Sequence, residues 1–202
     1  MMTTIVDLVR HGEPVGGRAY RGNRIDDPLS ETGWQQMRNM LVGDVAWQRV
    51  ITSPMRRCRE FADEVGANYS LPVQVVEDLK EVGFGNWEGK APEEIQSLYP
   101  QAYQAFYNNP VANRPEGAEP LEVFFKRVIN AYTAVIEQNT GEHIVLVTHA
   151  GVIRAIVADA LNAPIASMYQ LRIDYAALSR IRYSDGLVKL ECFNNDRYRS
   201  PR

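Results

Sequence analysis

Two short apolar segments, each followed by a histidine, constrain the fold of this chain more than any other feature. Residues 5–9 (IVDLV) and 144–148 (IVLVT) are rich in β-branched side chains and are too short for buried helices, so we predict that both are strands. The first strand runs into Arg10 and His11, and the second runs into His149. If both strands lie in one parallel sheet, the two histidines meet at its carboxyl edge, where open α/β sheets bind ligands.

Helical and extended patterns alternate along the rest of the chain, which predicts an α/β fold with a mostly parallel sheet. Further strands are predicted at residues 49–52 and 73–76, and a hairpin at 177–193 around Ser184-Asp185-Gly186. Helices are predicted at residues 31–43, 54–65, 92–98, 100–108 and 121–136, and after His149. The length of 202 residues suits a single domain, in which we expect a small helical cap or lid at about residues 86–120.

Three arginines stand in or near the first turn of the second predicted helix. Arg56, Arg57 and Arg59 follow a Ser-Pro pair in which Ser53 is the expected N-cap. The positive end of the helix dipole disfavours cations, and an anion bound there would remove this conflict. We therefore expect one of the three to bind a phosphate group, and Arg56 and Arg59 to extend into solvent.

Composition excludes several classes of function. The net charge of −3 argues against sequence-independent binding to nucleic acids. No run of about 18 apolar residues is present that could span a membrane, and the first residues lack the regions of a signal peptide. Cys58 and Cys192 are single thiols without the spacing of a metal site, which fits a reducing compartment. We therefore expect a cytoplasmic protein.

Two polar segments are expected at the surface. His143, the third histidine of the chain, lies next to Glu142 and is predicted to be solvated. The tail at residues 194–202 is polar and is predicted to be frayed.

Four motifs occur in an order that resembles the histidine phosphatase (phosphoglycerate mutase-like) superfamily. The motifs are RHGE at residues 10–13, SPMRR at 53–57, LKE with FGNWEG at 79–89, and VTHAG at 147–151. The resemblance implies a phosphoglycerate mutase-like fold, a three-layer α/β/α sandwich with helices on both faces of the sheet. It also implies that His11 accepts the phosphoryl group and that Glu81 is the general acid and base. Arg10, Arg57 and His149 are the implied ligands of the phosphoryl oxygens.

Residues 20–34 are similar to the α-ribazole phosphatase branch of that superfamily, which acts late in cobalamin assembly. After the first motif, many members carry Thr or Ser and later an Asn that contacts phosphate, where this chain has Pro14 and Gly17. Arg21 is a candidate to replace that phosphate contact.

A histidine among arginines suits phosphoryl transfer, because the dianion of a phosphomonoester repels nucleophiles until its charge is neutralised. Arg10 favours the neutral form of His11, which can take the phosphoryl group as a covalent intermediate. A carboxylic acid then protonates the leaving alkoxide. We therefore expect a hydrolase of a small phosphorylated metabolite, with α-ribazole 5′-phosphate as one candidate, that uses no metal or other cofactor.

Other interpretations stay open at this point. Two strand-end histidines could be metal ligands, although nearby arginines would repel a dication. A phosphoglycerate mutase would form the same intermediate and return the phosphoryl group to a sugar acid. A binder of phosphorylated ligands would keep the fold without the chemistry. The sequence is also compatible with a homodimer.

Overall fold

The computed structural model describes residues 2–41 and 43–201, and one six-stranded sheet forms its centre. The strands are β1 (Thr4–Arg10), β2 (Arg49–Thr52), β3 (Val73–Val75), β4 (His143–Thr148), β5 (Leu178–Ser184) and β6 (Leu187–Asn195). Their order across the sheet is β3-β2-β4-β1-β5-β6. The first four in this order are parallel, and β5 and β6 are antiparallel to their neighbours. The strand predicted at residues 73–76 and the predicted hairpin are both present.

Helices cover both faces of this sheet. They are α1 (Glu31–Met40), α2 (Arg56–Tyr69), α3 (Pro92–Leu98), α4 (Pro100–Asn108), α5 (Leu121–Gln138) and α6 (Ala150–Ala160). α1 and α2 belong to the core on one face, and α3 to α6 contribute to the core on the other. This arrangement confirms the three-layer α/β/α sandwich. In residues 2–41 and 43–201, no helix is both long and apolar enough to cross a bilayer.

Strand β4 shows how alternating side chains build the two cores. Val145 and Val147 join the core that contains α1 and α2, whereas Ile144 and Leu146 join the core on the opposite face. All residues of β4 are buried, as expected for a parallel strand covered on both faces. The strand therefore holds its carboxyl end in a fixed position.

Helix α2 differs from its prediction at both ends. The prediction placed it at residues 54–65, and it spans Arg56–Tyr69 without a side-chain cap at its start. Gly66 does not end the helix but lies inside it, at a position where close packing against β3 requires a glycine. A Cβ at this position would lie 2.3 Å from Cγ2 of Val73, so the missing side chain lets α2 approach β3 closely.

The prediction that His143 is solvated was wrong. His143 begins β4, is 7% exposed, and has its Nε2 2.9 Å from Oδ2 of Asp7. The same buried carboxylate accepts hydrogen bonds from Nε1 of Trp47 at 2.7 Å and from Nε and Nη2 of Arg180 at 2.6 and 2.9 Å. The partner of His143 lies 136 residues away in the sequence, so the local polar pattern did not reveal its burial.

The tail after β6 is also held more firmly than predicted. Tyr198 is 4% exposed, and its backbone N–H donates to the carbonyl of Met40 at 2.8 Å. Its hydroxyl accepts a hydrogen bond from the N–H of Ala46 at 2.9 Å. One aromatic anchor therefore ties the polar tail to the core that contains α1.

Candidate active site

The register between β1 and β4 brings two histidines together. Arg10 at the end of β1 is paired with Thr148 at the end of β4, so His11 and His149 follow at the same edge of the sheet. Their ring centroids are 5.2 Å apart, and the residues are 5% and 0% exposed. The N–H of His11 also donates to the carbonyl of Thr148 at 2.9 Å, which fixes the backbone between them.

The backbone determines which nitrogen of His11 is available for reaction. Nδ1 of His11 lies 2.7 Å from the carbonyl oxygen of Gly12. Because a carbonyl oxygen only accepts hydrogen bonds, Nδ1 carries the proton and Nε2 keeps its lone pair. Burial, followed by the charges of Arg57 and Arg10, holds the pKa of His11 well below its usual value. The ring is therefore neutral at neutral pH, with an unprotonated Nε2.

His149 precedes the first turn of α6 and contacts two side chains from the segment around α2. Its Nε2 lies 2.8 Å from Oγ of Ser53 and 3.6 Å from Sγ of Cys58. Burial, and then the charge of Arg57, holds the pKa of His149 well below its usual value. The sequence assigned Ser53 to a helix cap. Its hydroxyl accepts from the N–H of Met55 at 3.3 Å and also supports this imidazole, a role that no local signal indicates.

Two arginines, one buried and one partly buried, supply the positive charge beside the histidines. Arg57 is 1% exposed and donates to the carbonyls of Gly22 and Ile25 at 3.1 and 2.9 Å. Arg10 donates to the carbonyl of Ile173 at 2.7 Å. Within the described residues, neither arginine forms an ion pair, and the buried Nε of each has no hydrogen-bond partner. Desolvated cations with unsatisfied donors favour the binding of an anion.

The other two arginines at the start of α2 face outwards, as predicted. Arg56 and Arg59 have side chains that are 57% and 49% exposed, and they pair with Glu60 and Asp63 one turn along the helix. Such exposed pairs contribute little to stability. Of the three, only Arg57 therefore lies in the candidate site.

Glu81, which lies between β3 and α3 in the sequence, contacts the first turn of α6 in the fold. Backbone N–H groups hold its carboxylate there. Oε1 accepts from the N–H of Val82 at 2.9 Å, and the N–H of Gly151 lies 3.1 and 3.2 Å from Oε1 and Oε2. A Cβ on residue 151 would lie 2.2 Å from Oε1, so this close approach requires glycine. A residue of the fourth motif thus fixes the carboxylate in the cavity that His11 also lines.

A cavity of about 520 Å³ is lined by most of these groups, but not by the fully buried His149. His11, Glu81, Arg10, Arg57 and Arg21 all line it. It is also lined by Arg18, Tyr20, Tyr107, Arg154, Tyr169, Arg172 and Tyr175, none of which the sequence analysis assigned to the site. For Arg154, the predicted helix carried a signal, because a residue three positions after Gly151 lies on the same helix face.

Arg21 lines the cavity but already has partners. Its Nε donates to Oδ2 of Asp27 at 2.9 Å, and its Nη2 donates to the carbonyl of Val15 at 2.6 Å. The residue is 7% exposed. These bonds join three parts of the loop at residues 13–28, and a contact between Arg21 and phosphate stays a prediction.

The aromatic residues of α4 divide between core and cavity. Phe106 is fully buried in the core. Tyr107 lines the cavity instead, with its hydroxyl 2.9 Å from that of Tyr20. Tyr99, which precedes the helix, is 45% exposed, and Tyr103 is half-buried. Of these four aromatic residues of the segment at 86–120, Tyr107 alone therefore lines the cavity.

The site has no arrangement of side chains typical of a metal centre. In the part of the chain that the structure describes, no group of three or more His, Cys, Asp or Glu side chains is placed to hold a metal ion. The charged groups around His11 are instead Arg57, Arg10 and Arg21, which suit an anion.

Known proteins that are similar to this chain include phosphatases. Over 192 residues, the chain is 27% identical to an adenosylcobalamin/alpha-ribazole phosphatase of Escherichia coli, covering 93% of this chain and 94% of that protein. It is 32% identical to phosphoglycerate mutase-like protein 4 of Arabidopsis thaliana over 156 residues, 74% of this chain and 67% of that protein. The crystal structure of the alpha-ribazole phosphatase from Shigella flexneri superposes with a TM-score of 0.84 at 27% identity, covering 98% of this chain and 100% of that one. A family profile matches residues 6–196. The chain therefore belongs to the histidine phosphatase superfamily (branch 1), the family that its four motifs predicted.

Proposed function

We propose that this chain hydrolyses phosphomonoesters through a phosphohistidine intermediate on His11. The observation that carries the proposal is the contact of 2.7 Å between Nδ1 of His11 and the carbonyl oxygen of Gly12, which assigns the proton to Nδ1 and leaves the lone pair on Nε2. Arg10 and Arg57, which lack carboxylate partners among the described residues, line the same cavity. A neutral nucleophile beside two unpaired cations suits attack on a dianion.

In the first step, Nε2 of His11 attacks phosphorus and the bond from phosphorus to the ester oxygen breaks. Glu81, in its protonated form, gives its proton to the departing oxygen, which leaves as an alcohol. Arg10 and Arg57 bind the non-bridging oxygens and stabilise their charge in the transition state. We assign His149 and Arg21 to the same oxygens.

In the second step, water attacks the phosphoryl group and the bond between phosphorus and Nε2 breaks. Glu81, now a carboxylate, takes a proton from that water, which restores both His11 and Glu81 and releases inorganic phosphate. Every step uses side chains of the candidate site, so the proposed reaction needs neither a metal ion nor an organic cofactor.

We propose a small phosphorylated metabolite as the substrate. Alpha-ribazole phosphatase is the name of relatives that match over nearly the whole chain, so α-ribazole 5′-phosphate is the first substrate to assay. The two free cysteines support a reducing cytoplasm as the location. A cap role for residues 86–120 and a homodimer stay predictions, which limited proteolysis and sedimentation would test.

The test is the covalent adduct itself. Rapid acid-free quenching during turnover of a labelled phosphomonoester should trap a phosphoryl group that is labile to acid and stable to alkali. His11→Ala should abolish it, whereas His143→Gln should retain it, because His143 lies with Asp7 inside the core and outside the cavity. Turnover by wild type without an adduct, or an adduct that persists in His11→Ala, would show the proposal to be wrong.

Phosphoglycerate mutase chemistry is the second candidate, favoured by the identity of 32% to the mutase-like protein of Arabidopsis. A mutase passes the phosphoryl group of the same intermediate to an acceptor alcohol. The two functions are separated by the partition of the adduct between water and 3-phosphoglycerate. We expect inorganic phosphate as the main product.

A further inference from the structure

The cavity contains more free positive charge than one phosphoryl group requires. Three arginines of the cavity form ion pairs with carboxylates: Arg18 with Glu93, Arg21 with Asp27, and Arg172 with Asp174. Three further lining arginines, Arg10, Arg57 and Arg154, form no ion pair with any described residue. Two cations match a phosphoryl dianion, and Arg10 and Arg57 lie beside the nucleophile. Arg154 is therefore left without an anion.

Arg154 is placed to contact the leaving group rather than the phosphoryl group. Ala150, Gly151 and Arg154 all line the cavity from one face of α6. Gly151 is also the residue whose N–H holds the carboxylate of Glu81. Arg154 thus lies about one helical turn, roughly 5 Å along the axis, beyond the group that protonates the leaving oxygen. A leaving group that extends past Glu81 along this wall reaches Arg154.

The guanidinium of Arg154 is fixed in orientation. Its Nε donates to the carbonyl of Leu171 at 2.8 Å, and its Cζ lies 5.4 Å from the centroid of the Tyr169 ring. The partner of Nε is a backbone carbonyl, so the charge of the group is not neutralised by it. The two Nη groups are then the donors suited to bind the two oxygens of a carboxylate in parallel. One positive charge matches such a monoanion better than a second phosphate dianion.

We infer that Arg154 determines substrate specificity by binding a carboxylate on the leaving group, so that the preferred substrates are phosphorylated hydroxy acids. The inference rests on the proposed hydrolysis and narrows its substrate class. A neutral nucleoside leaving group, as in α-ribazole 5′-phosphate, would leave Arg154 without an anion. The inference therefore ranks that ester below one that carries a carboxylate.

The experiment compares two alkyl esters that differ in a carboxylate, 3-phosphoglycerate and glycerol 3-phosphate. For wild type, the ratio of kcat/KM between them should favour 3-phosphoglycerate by about 10- to 100-fold, the range of a charged hydrogen-bonded pair. Arg154→Met should bring the ratio near unity, mainly because the carboxylate ester then binds with a higher KM, and Arg154→Lys should restore part of it. Arg172→Met is the matched control, because this arginine of the same cavity already has Asp174 as a partner.

Two results would overturn the inference. In one, wild type hydrolyses glycerol 3-phosphate or α-ribazole 5′-phosphate as well as 3-phosphoglycerate. In the other, Arg154→Met lowers kcat/KM equally for both alkyl esters, which would indicate that Arg154 only holds the backbone at Leu171. Failure of the proposed function is a separate result, because it would appear as the lack of any adduct on His11 with p-nitrophenyl phosphate.

Discussion

Replacing Gly151 by alanine should displace Glu81 and leave the phosphate ligands in place. The new Cβ would lie 2.2 Å from Oε1 of Glu81, whereas ordinary contacts begin at 3.4 Å. The Cβ is fixed to the backbone of α6, so the carboxylate must move by about 1 Å. The movement also weakens the hydrogen bonds that join the N–H of Gly151 to Oε1 and Oε2 at 3.1 and 3.2 Å.

The size of the effect follows from the role proposed for Glu81. General acid catalysis contributes roughly 10²–10⁴-fold, and a misplacement of about 1 Å costs on the order of 10²-fold. We therefore expect kcat for alkyl phosphates to fall about 10²-fold in Gly151→Ala, approaching the loss in Glu81→Gln. Inhibition by inorganic phosphate should stay near the wild-type value, because Arg10 and Arg57 are not displaced.

The assay combines steady-state kinetics with trapping of the adduct. With p-nitrophenyl phosphate, whose leaving group needs little protonation, the first step should stay fast in Gly151→Ala. The hydrolysis of phosphohistidine should be slow, so the adduct should accumulate. In a Glu81→Asp background the shorter side chain clears the new methyl group, and Gly151→Ala should then cost much less.

Two outcomes would refute this reasoning. Unchanged kcat for alkyl phosphates would mean that Glu81 is not the acid or that its position does not depend on Gly151. A loss of phosphate affinity as large as the loss of kcat would mean that the alanine disturbs the whole site. Thermal unfolding of the variant separates the second outcome from a general loss of stability.

Two further predictions concern buried charge and stability. The pKa values of His11 and His149 are lowered in the folded state, so below about pH 6.5 the unfolded chain binds more protons than the folded one. The free energy of unfolding should therefore fall as the pH drops below about 6.5, by up to about 1.4 kcal/mol per pH unit for each histidine. Above about pH 6.5 it should stay level. Urea denaturation between pH 5 and 8 measures this, and a flat profile would contradict it. Asp7→Asn should lower the free energy of unfolding by about 3–5 kcal/mol, because Arg180, with a side chain 5% exposed, loses its counter-charge. Glu142→Gln, in a half-exposed ion pair, should cost about 1 kcal/mol or less, and an equal loss in both variants would be inconsistent with the burial of Asp7.

Local patterns determined much of the architecture and part of the candidate site. The apolar runs before His11 and His149 predicted two buried strands, and their carboxyl ends do meet at one edge of the sheet. The order of helices and strands followed from hydrophobic periodicity, because burial of one face is a local property of each element. The start of α2 predicted that one of three arginines binds phosphate, the family resemblance chose Arg57, and only this one is buried at the site.

Tertiary packing decided the remaining features, because each depends on a partner far along the chain. Ser53 and His149 are 96 residues apart, and Glu81 and Gly151 are 70 residues apart, so no local pattern could pair them. The prediction for His143 was wrong for the same reason. A histidine beside a glutamate is expected to be exposed to solvent, unless the fold supplies a buried hydrogen-bond partner such as the carboxylate of Asp7. The free energy of a buried polar group depends on which partner the fold supplies, and the register of the sheet determines that partner.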